Sequence, residues 1–359
     1  MTASIKFNST NTLFFPTLRK RVNQYFEENK ISPTGNYKLF VKSGLLLAGL
    51  ISCYIWLVFY TPGSILLALL LCSLMGVLFA AVGFNVMHDG SHGSYSNIGW
   101  LNIAMAHTLN LLGGSAYMWK HKHNFAHHSF TNIEGMDEDI DIKPFLRTNP
   151  NQKKYWFHRF QHIYSFLLYG LTYLVWIFFQ DFRKYFSRKV TALVEIPKLS
   201  LSQHIIFWVT KAVYATTIFI LPIWQVGVLK TLLGYGMLVF VCGILIAIVF
   251  QLAHVHEEAA FVQPQGEPFI IENDWAIHQI NTTANFATKQ KWHNWFWGGL
   301  NFQIEHHLFP RISHIHYPAI SKIVKQTCRE FNIAYNEFPT VVSAIYSHLT
   351  HLRKLGSSY

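Results

Sequence analysis

The chain has 359 residues and a formal net charge of +11; 51% are hydrophobic, 16% aromatic and only 13% charged. A soluble domain carries about 25% charged residues, so this chain lacks the ionic surface to face water on every side, which excludes both an ordinary soluble protein and a disordered one. Its four Cys are sparse, and Cys53, Cys72 and Cys242 sit inside apolar runs, which argues against a secreted disulfide scaffold.

Residues 1–42 are polar and basic, with no cleavable signal peptide and a candidate interfacial amphipathic helix from Phe14 to Phe26. Crossing a bilayer core of ~30 Å takes about 20 apolar residues in a helix. Segments 43–60 and 64–87 come near that length and are joined by Thr61-Pro62-Gly63; segments 206–229 and 231–253 are joined at Lys230. These read as two transmembrane hairpins. If both enter from the side of the N-terminus, Lys230 is the single basic residue in the far loops, and the positive-inside rule makes the near side cytoplasmic. Segment 98–119 contains Asn102, His107 and Asn110, which are costly in lipid. Segment 163–180 runs into the aromatic-basic stretch 181–189. Both are expected to be interfacial or re-entrant. The expected fold is an all-α integral membrane protein with four transmembrane helices in two hairpins, interfacial helices and a cytoplasmic cap. Residues 1–42 form the N-terminal segment, 43–321 the membrane domain and 322–359 a cytoplasmic tail.

Twenty histidines are the outstanding compositional feature. His88-Asp-Gly-Ser-His92 begins where the second span ends, and His254 follows the fourth. His123-Asn-Phe-Ala-His127-His128 follows the first interfacial segment, and Gln303-Ile-Glu-His306-His307 lies in the C-terminal region. Residues at i, i+3 and i+4 share a helix face, so each box can aim its imidazoles at one point, and imidazole suits Fe, Zn, Cu and Ni. Random placement of 20 His gives about one HxxxH and one HH pair; the chain has three and two. Placement is more telling than number, because the topology brings all four boxes to one membrane face. The third HxxxH pair, His158/His162, has no HH partner and reads as a surface pair. A metal transporter would put its ligands inside the spans, and here the histidines gather at one end, with Lys211, close to the near side, the one charge within the spans.

HDGSH, HNFAHH and QIEHH, in this order between hydrophobic hairpins, resemble the three histidine boxes of the membrane fatty-acid desaturases. The QxxHH third box, flanked by Asn301-Phe302-Gln303 and Leu308-Phe309-Pro310, resembles the front-end and linoleoyl-CoA desaturase branch. The likeness runs from about residue 14 to 321. It implies two non-haem iron ions (Fe2+) held by His88, His92, His123, His127, His128, His254, His306 and His307, with O2 as co-substrate. Gln303 replaces a box histidine, and three roles are open to it: iron ligand through its carbonyl, holder of a bound water, or neither. His121 and His256 are near-box alternatives. Front-end members often carry a fused cytochrome b5 domain with an HPGG motif. The chain has no HPGG, so the expected electron donor is a separate ferredoxin or cytochrome b5-type protein with its reductase. This absence also favours a bacterial cell membrane over endoplasmic reticulum.

The implied chemistry demands such a site. A mid-chain methylene is neither acidic nor polarised, so its hydrogen is taken by an O2-derived oxidant that the cofactor supplies. Four electrons reduce O2 to two waters, two from the acyl chain and two from the donor. Loss of the second hydrogen gives a cis alkene and oxygen rebound an alcohol, so the boxes alone do not separate a desaturase from a hydroxylase. Asp89 and Glu305, and less directly Asn132 and His316, are candidates to orient imidazoles through their second nitrogen. The acidic residues Glu134, Asp137, Glu138, Asp139 and Asp141 are expected to serve neighbouring Lys and Arg or to be simply exposed. Trp275, His278, Thr282, Thr283 and Asn285 are candidates to line the substrate path. The substrate is a fatty acyl-CoA or an acyl-lipid, and Arg19, Lys20, Arg21, Lys38 and Lys42 could meet coenzyme A phosphates or anionic lipid alike. The basic residues follow the topology of the bilayer, which leaves no compact nucleic-acid module.

Overall fold

The computed structural model describes residues 5–8, 13–264, 269–271 and 273–357. Strand β1 (Ile5–Phe7) precedes α1 (Phe14–Asn29), whose Phe14, Leu18, Val22 and Phe26 recur at helical spacing and are buried. Asn36 caps the N-terminus of α2 (Tyr37–Tyr60) by accepting from the Lys38 amide, and Ser64 caps α3 (Ile65–His92) after the Pro62-Gly63 turn. Segment 98–119 is broken into α4 (Gly99–Ala106), α5 (Thr108–Leu111) and α6 (Ala116–Lys120). From α6 the chain continues through a π-helical stretch, His121–His127, to Phe130. Three long helices follow: α7 (Trp156–Ser187), α8 (Leu201–Val226) and α9 (Val228–His254). The C-terminal third holds β2 (Phe269–Ile271), α10 (Trp275–Asn281), β3 (Asn285–Phe286), α11 (Lys291–Phe296), α12 (Gln303–Leu308), α13 (Tyr317–Glu330), β4 (Glu337–Phe338) and α14 (Val341–Ser357). The strands form two short parallel pairs, β1 with β2 and β3 with β4.

The protein is thus an all-α membrane protein. Ile65, Leu66, Leu70, Trp224 and Leu233 on its long helices are all more than half exposed, a surface that lipid satisfies and water does not. Two large apolar cores do most to hold it together. One joins α2, α3, α8 and α9 through residues such as Leu46, Met75, Phe79, Ile218, Leu238 and Cys242. The other joins α1, α10, α12 and α13 through Phe14, Leu18, Ile280, Ile304 and Ile320, and forms a cap over the helix ends.

Among the described residues five helices are long and apolar enough to cross a membrane, against the four counted from sequence: α2, α3, α7, α8 and α9. The added one, α7, contains segment 163–180. Both of its ends are held by the cap side. Near its N-terminus Gln161 donates to the Leu352 carbonyl at 2.7 Å, and near its C-terminus Lys184 and Arg183 pair with Glu138. Leu352 shares a small core with Ile140, two residues from Glu138. Both ends of α7 are thus tied to the cap side, while its middle packs along α9, Gly170 against Phe240 and Phe178 beside Tyr235.

Candidate metal centre

Two parallel helices deliver the first ligands. α3 does not stop at residue 87; its last turn is His88–His92, closed by Gly93 in the left-handed conformation (φ 72°) with its amide bonded back to Gly90. His254 is the last residue of α9. The π-helical stretch after α6 has i→i+5 bonding, which brings His123 and His128 together edge to face, their Nε2 atoms 3.3 Å apart. The one-turn helix α12 supplies His306 and His307.

These side chains converge. The donor atoms of His88, His92, His123 and His306 all lie within 4.8 Å of one another, and so do those of His127, His254 and His307. His128 stands between the two groups, its ring centroid 4.5 Å from both His306 and His307 and 4.8 Å from His92 and His123. All eight rings are buried. The Nε2 atoms of His92, His127, His254, His306 and His307 have no hydrogen-bond partner among the described residues. Each such buried orphan costs ~1–3 kcal/mol, and five lone pairs converging in one place fit a cation that takes them. The set is nitrogen-rich and suits a first-row transition metal.

The other ring nitrogens are fixed from behind. Nδ1 of His127 faces the Asp137 carboxylate at 2.9 Å, and Nδ1 of His307 faces Gln279 Oε1 at 2.8 Å. Nδ1 of His254 faces the Thr282 carbonyl at 3.2 Å, and Nδ1 of His306 faces the Tyr317 hydroxyl at 3.2 Å. His123 Nδ1 lies 3.4 Å from Asp139, which also pairs with Lys122 at 2.5 Å. A proton held at Nδ1 leaves the Nε2 lone pair pointing into the centre. Burial, reinforced by mutual repulsion, drives His123, His128, His306 and His307 well below the usual imidazole range, so they stand neutral and ready to bind. His127 differs: burial opposes its charge, but the Asp137 carboxylate outweighs it and the net shift is upward.

The residues expected to orient the imidazoles are placed otherwise. Asp89 accepts from the Ser313 hydroxyl at 2.7 Å and lies 3.0 Å from His314 Nδ1, tying the first box to the cap and touching no box imidazole. Glu305 accepts from Asn285 at 2.7 Å and Tyr335 at 2.9 Å, and burial raises its carboxyl to about 7. Asn132, at φ 56°, donates through Nδ2 to the His254 carbonyl at 2.9 Å and the Ala260 carbonyl at 3.1 Å, which joins the second box to the end of α9. His316 faces the Thr34 carbonyl at 3.2 Å, outside the cluster. Gln303 is buried one turn before His306 and His307 on α12. The orienting groups that sequence reasoning missed are Asp137, Asp139, Gln279 and Tyr317. Asp137 and Asp139 belong to the acidic run expected to serve Lys and Arg, a role that Asp139 with Lys122 and Glu138 with Lys184 also fill.

His121 and His256 stay outside both groups: His121 stacks on Phe125, and His256 pairs with Glu258 at 3.2 Å. The pair His158/His162 is no ligand pair, but His158 is buried, not a surface residue. Its Nδ1 accepts from the Tyr155 amide at 3.2 Å and its Nε2 faces the Pro144 carbonyl at 2.8 Å, which caps the start of α7. The expected substrate-lining residues are frame residues. Trp275 donates to the His128 carbonyl, His278 faces the Thr131 carbonyl, Thr282 and Thr283 bond back along their own turn, and Asn285 holds Glu305. The apolar cavity that reaches His88 is lined instead by residues including Phe84, Leu112, Trp119, Trp176 and Phe250.

Residues 64–339 match the Fatty acid desaturase family, a stretch that includes every box described above. The chain belongs to that family. This desaturase is therefore an oxidoreductase. It is 38% identical to the acyl-lipid (8-3)-desaturase of Physcomitrium patens over 97% of this chain and 73% of the relative. It is 36% identical to the sn-1 linoleoyl-lipid 6-desaturase of Arthrospira platensis, covering 96% of this chain and 92% of the relative. The enzyme of the same description from Synechocystis is 34% identical, with 96% of each chain covered.

Proposed function

We propose that this chain is a membrane-bound, non-haem di-iron desaturase that places a cis double bond in a long-chain acyl group carried on a lipid or coenzyme A. O2 is the oxidant, and two electrons come from a donor protein. The observation that carries the reading is the pair of adjacent donor groups with five unpartnered Nε2 atoms, next to an apolar cavity that touches His88. Relatives described as acting on acyl-lipids support the substrate class.

In this reading His88, His92, His123 and His306 would hold one iron, His127, His254 and His307 the other, with His128 between them. When bound, the irons supply the oxidising power that no side chain has for an unactivated C–H bond. The protein does the rest. Asp137, Gln279 and Tyr317 keep protons on the outward nitrogens, and the buried cap keeps bulk water from the centre. The apolar walls around Phe84, Trp119 and Phe250 present the chain to the metals. The near side, which in the hairpin topology carries every Lys and Arg but Lys230 and, close to that side, Lys211, is cytoplasmic in this reading.

Expression in a host without such activity, followed by fatty-acid profiling and metal analysis of the purified protein, tests the proposal. New cis-unsaturated acids and about two irons per chain are expected. Hydroxy acids in place of alkenes, or a preparation active without iron, would overturn it.

A further inference from the structure

The cavity at the metal centre has a definite end. It is a narrow slot of about 40 Å³, and its lining on α3 runs from His88 to Phe79 and on α9 from Phe250 to Cys242. At ~1.5 Å per residue these stretches are roughly 12–14 Å long. Tyr173 closes the end away from His88. Its hydroxyl donates to the Leu112 carbonyl and lies 3.2 Å from the Tyr214 hydroxyl, which is 3.2 Å from the Tyr235 hydroxyl. The three rings come from α7, α8 and α9. The turn that offers the Leu112 carbonyl fits because Gly113 stands at φ 88°; a Cβ there would lie 2.7 Å from the Tyr214 ring. Hydroxyls in an apolar interior are costly unless paired, and here they are paired with one another and with one carbonyl, which pins the rings in place.

A second apolar cavity lies on the other side of this layer, lined by Tyr235, Leu238, Met75 and Cys72 and reaching the hairpin turns at Pro62 and Lys230. Its volume is about 450 Å³, against about 40 Å³ for the first. Met75 is one helical turn from Phe79 and Leu238 one turn from Cys242, so the two cavities meet at the tyrosine layer.

We propose that Tyr173, locked by Tyr214 and Tyr235, is the floor of the acyl site and limits how much chain can extend past the metal centre. This rests on the desaturase reading and deepens it. An extended chain advances ~3.5 Å per three bonds, so the length of this slot matches about ten to twelve carbons beyond the reacting one. Longer tails meet a fixed ring, although ample apolar volume lies behind it.

The test supplies expressing cells with saturated C16, C18, C20 and C22 acyl chains and counts the carbons between the new double bond and the methyl end. The wild-type products should stop near twelve. Tyr173→Phe keeps the ring and should keep the limit; Tyr173→Ala should raise the share of products beyond it at least fivefold. Because Tyr173→Ala could fail to fold, purified wild-type protein is also titrated with free saturated fatty acids from C12 to C22. Affinity should rise about fourfold for each added buried methylene and then level off. A wild type that makes no unsaturated acid defeats the desaturase reading itself. A wild type that desaturates without a length limit, affinity that climbs unbroken to C22, or a folded Tyr173→Ala variant with the wild-type product range defeats the tyrosine floor alone.

Discussion

The carboxylate of Asp137 lies 2.9 Å from Nδ1 of His127 and also accepts from the Asn132 backbone amide at 3.0 Å. One side chain therefore fixes a ring on the second box and the backbone bend that reaches the end of α9. Its charge lifts the pKa of His127 against the effect of burial and strengthens the ring as a metal donor.

Asp137→Asn keeps the shape and removes the charge. Metal affinity is expected to fall about 10–100-fold, read by competition with a chelator. Unchanged affinity would reduce Asp137 to a backbone tie.

His127→Ala and His306→Ala, one from each donor group, should abolish product while leaving membrane insertion intact. Metal analysis should show less iron per chain in each, and retained activity would remove that residue from the ligand set.

His158→Ala has a different expected signature. The ring caps α7 far from the donor groups, so the loss is one of stability, ~1 kcal/mol as for other lost caps. Thermal unfolding should show it as a drop of a few degrees, with metal content unchanged. Loss of metal without loss of stability would assign His158 to the centre.

Acid should loosen the C-terminal helix. His348 on α14 is buried, with Nδ1 2.6 Å from the Val255 carbonyl and Nε2 2.7 Å from the Tyr169 hydroxyl. Burial lowers its pKa to about 4, and His351 and His256 nearby act in the same direction. The folded state thus favours neutral His348 and the unfolded chain binds the proton first. The contribution is whole above pH ~6.5 and is lost as the pH falls toward 4, about 3 kcal/mol in all. His348→Gln should flatten the stability profile across that window in urea titrations at stepped pH, and an unchanged slope would refute the assignment.

Chelation should cost stability as well as activity. A metal that binds only the folded chain stabilises it by ~2.7 kcal/mol at 100 times its Kd. Metal-depleted protein should therefore unfold at a lower temperature and recover when Fe2+ is restored. Equal unfolding temperatures with and without metal would mean that the donor groups are empty in the working enzyme.

Much of this was legible in the chain. The lengths of the apolar runs, the Pro62-Gly63 turn and the one-sided distribution of Lys and Arg determine a membrane fold, because a bilayer imposes a fixed helix length and a charge asymmetry that linear sequence records directly. The boxes were readable for the same reason, since helical spacing is local. What surrounds them was decided only by tertiary structure. Asp137, Gln279 and Tyr317 reach the imidazoles from a loop and two other helices, while Asp89 and Glu305, adjacent to ligands in sequence, point away to Ser313 and to Asn285 and Tyr335. A helix turns ~100° per residue, so a neighbour in sequence is seldom a neighbour in space. The cavity floor, assembled from tyrosines on three helices, left no trace in any single segment.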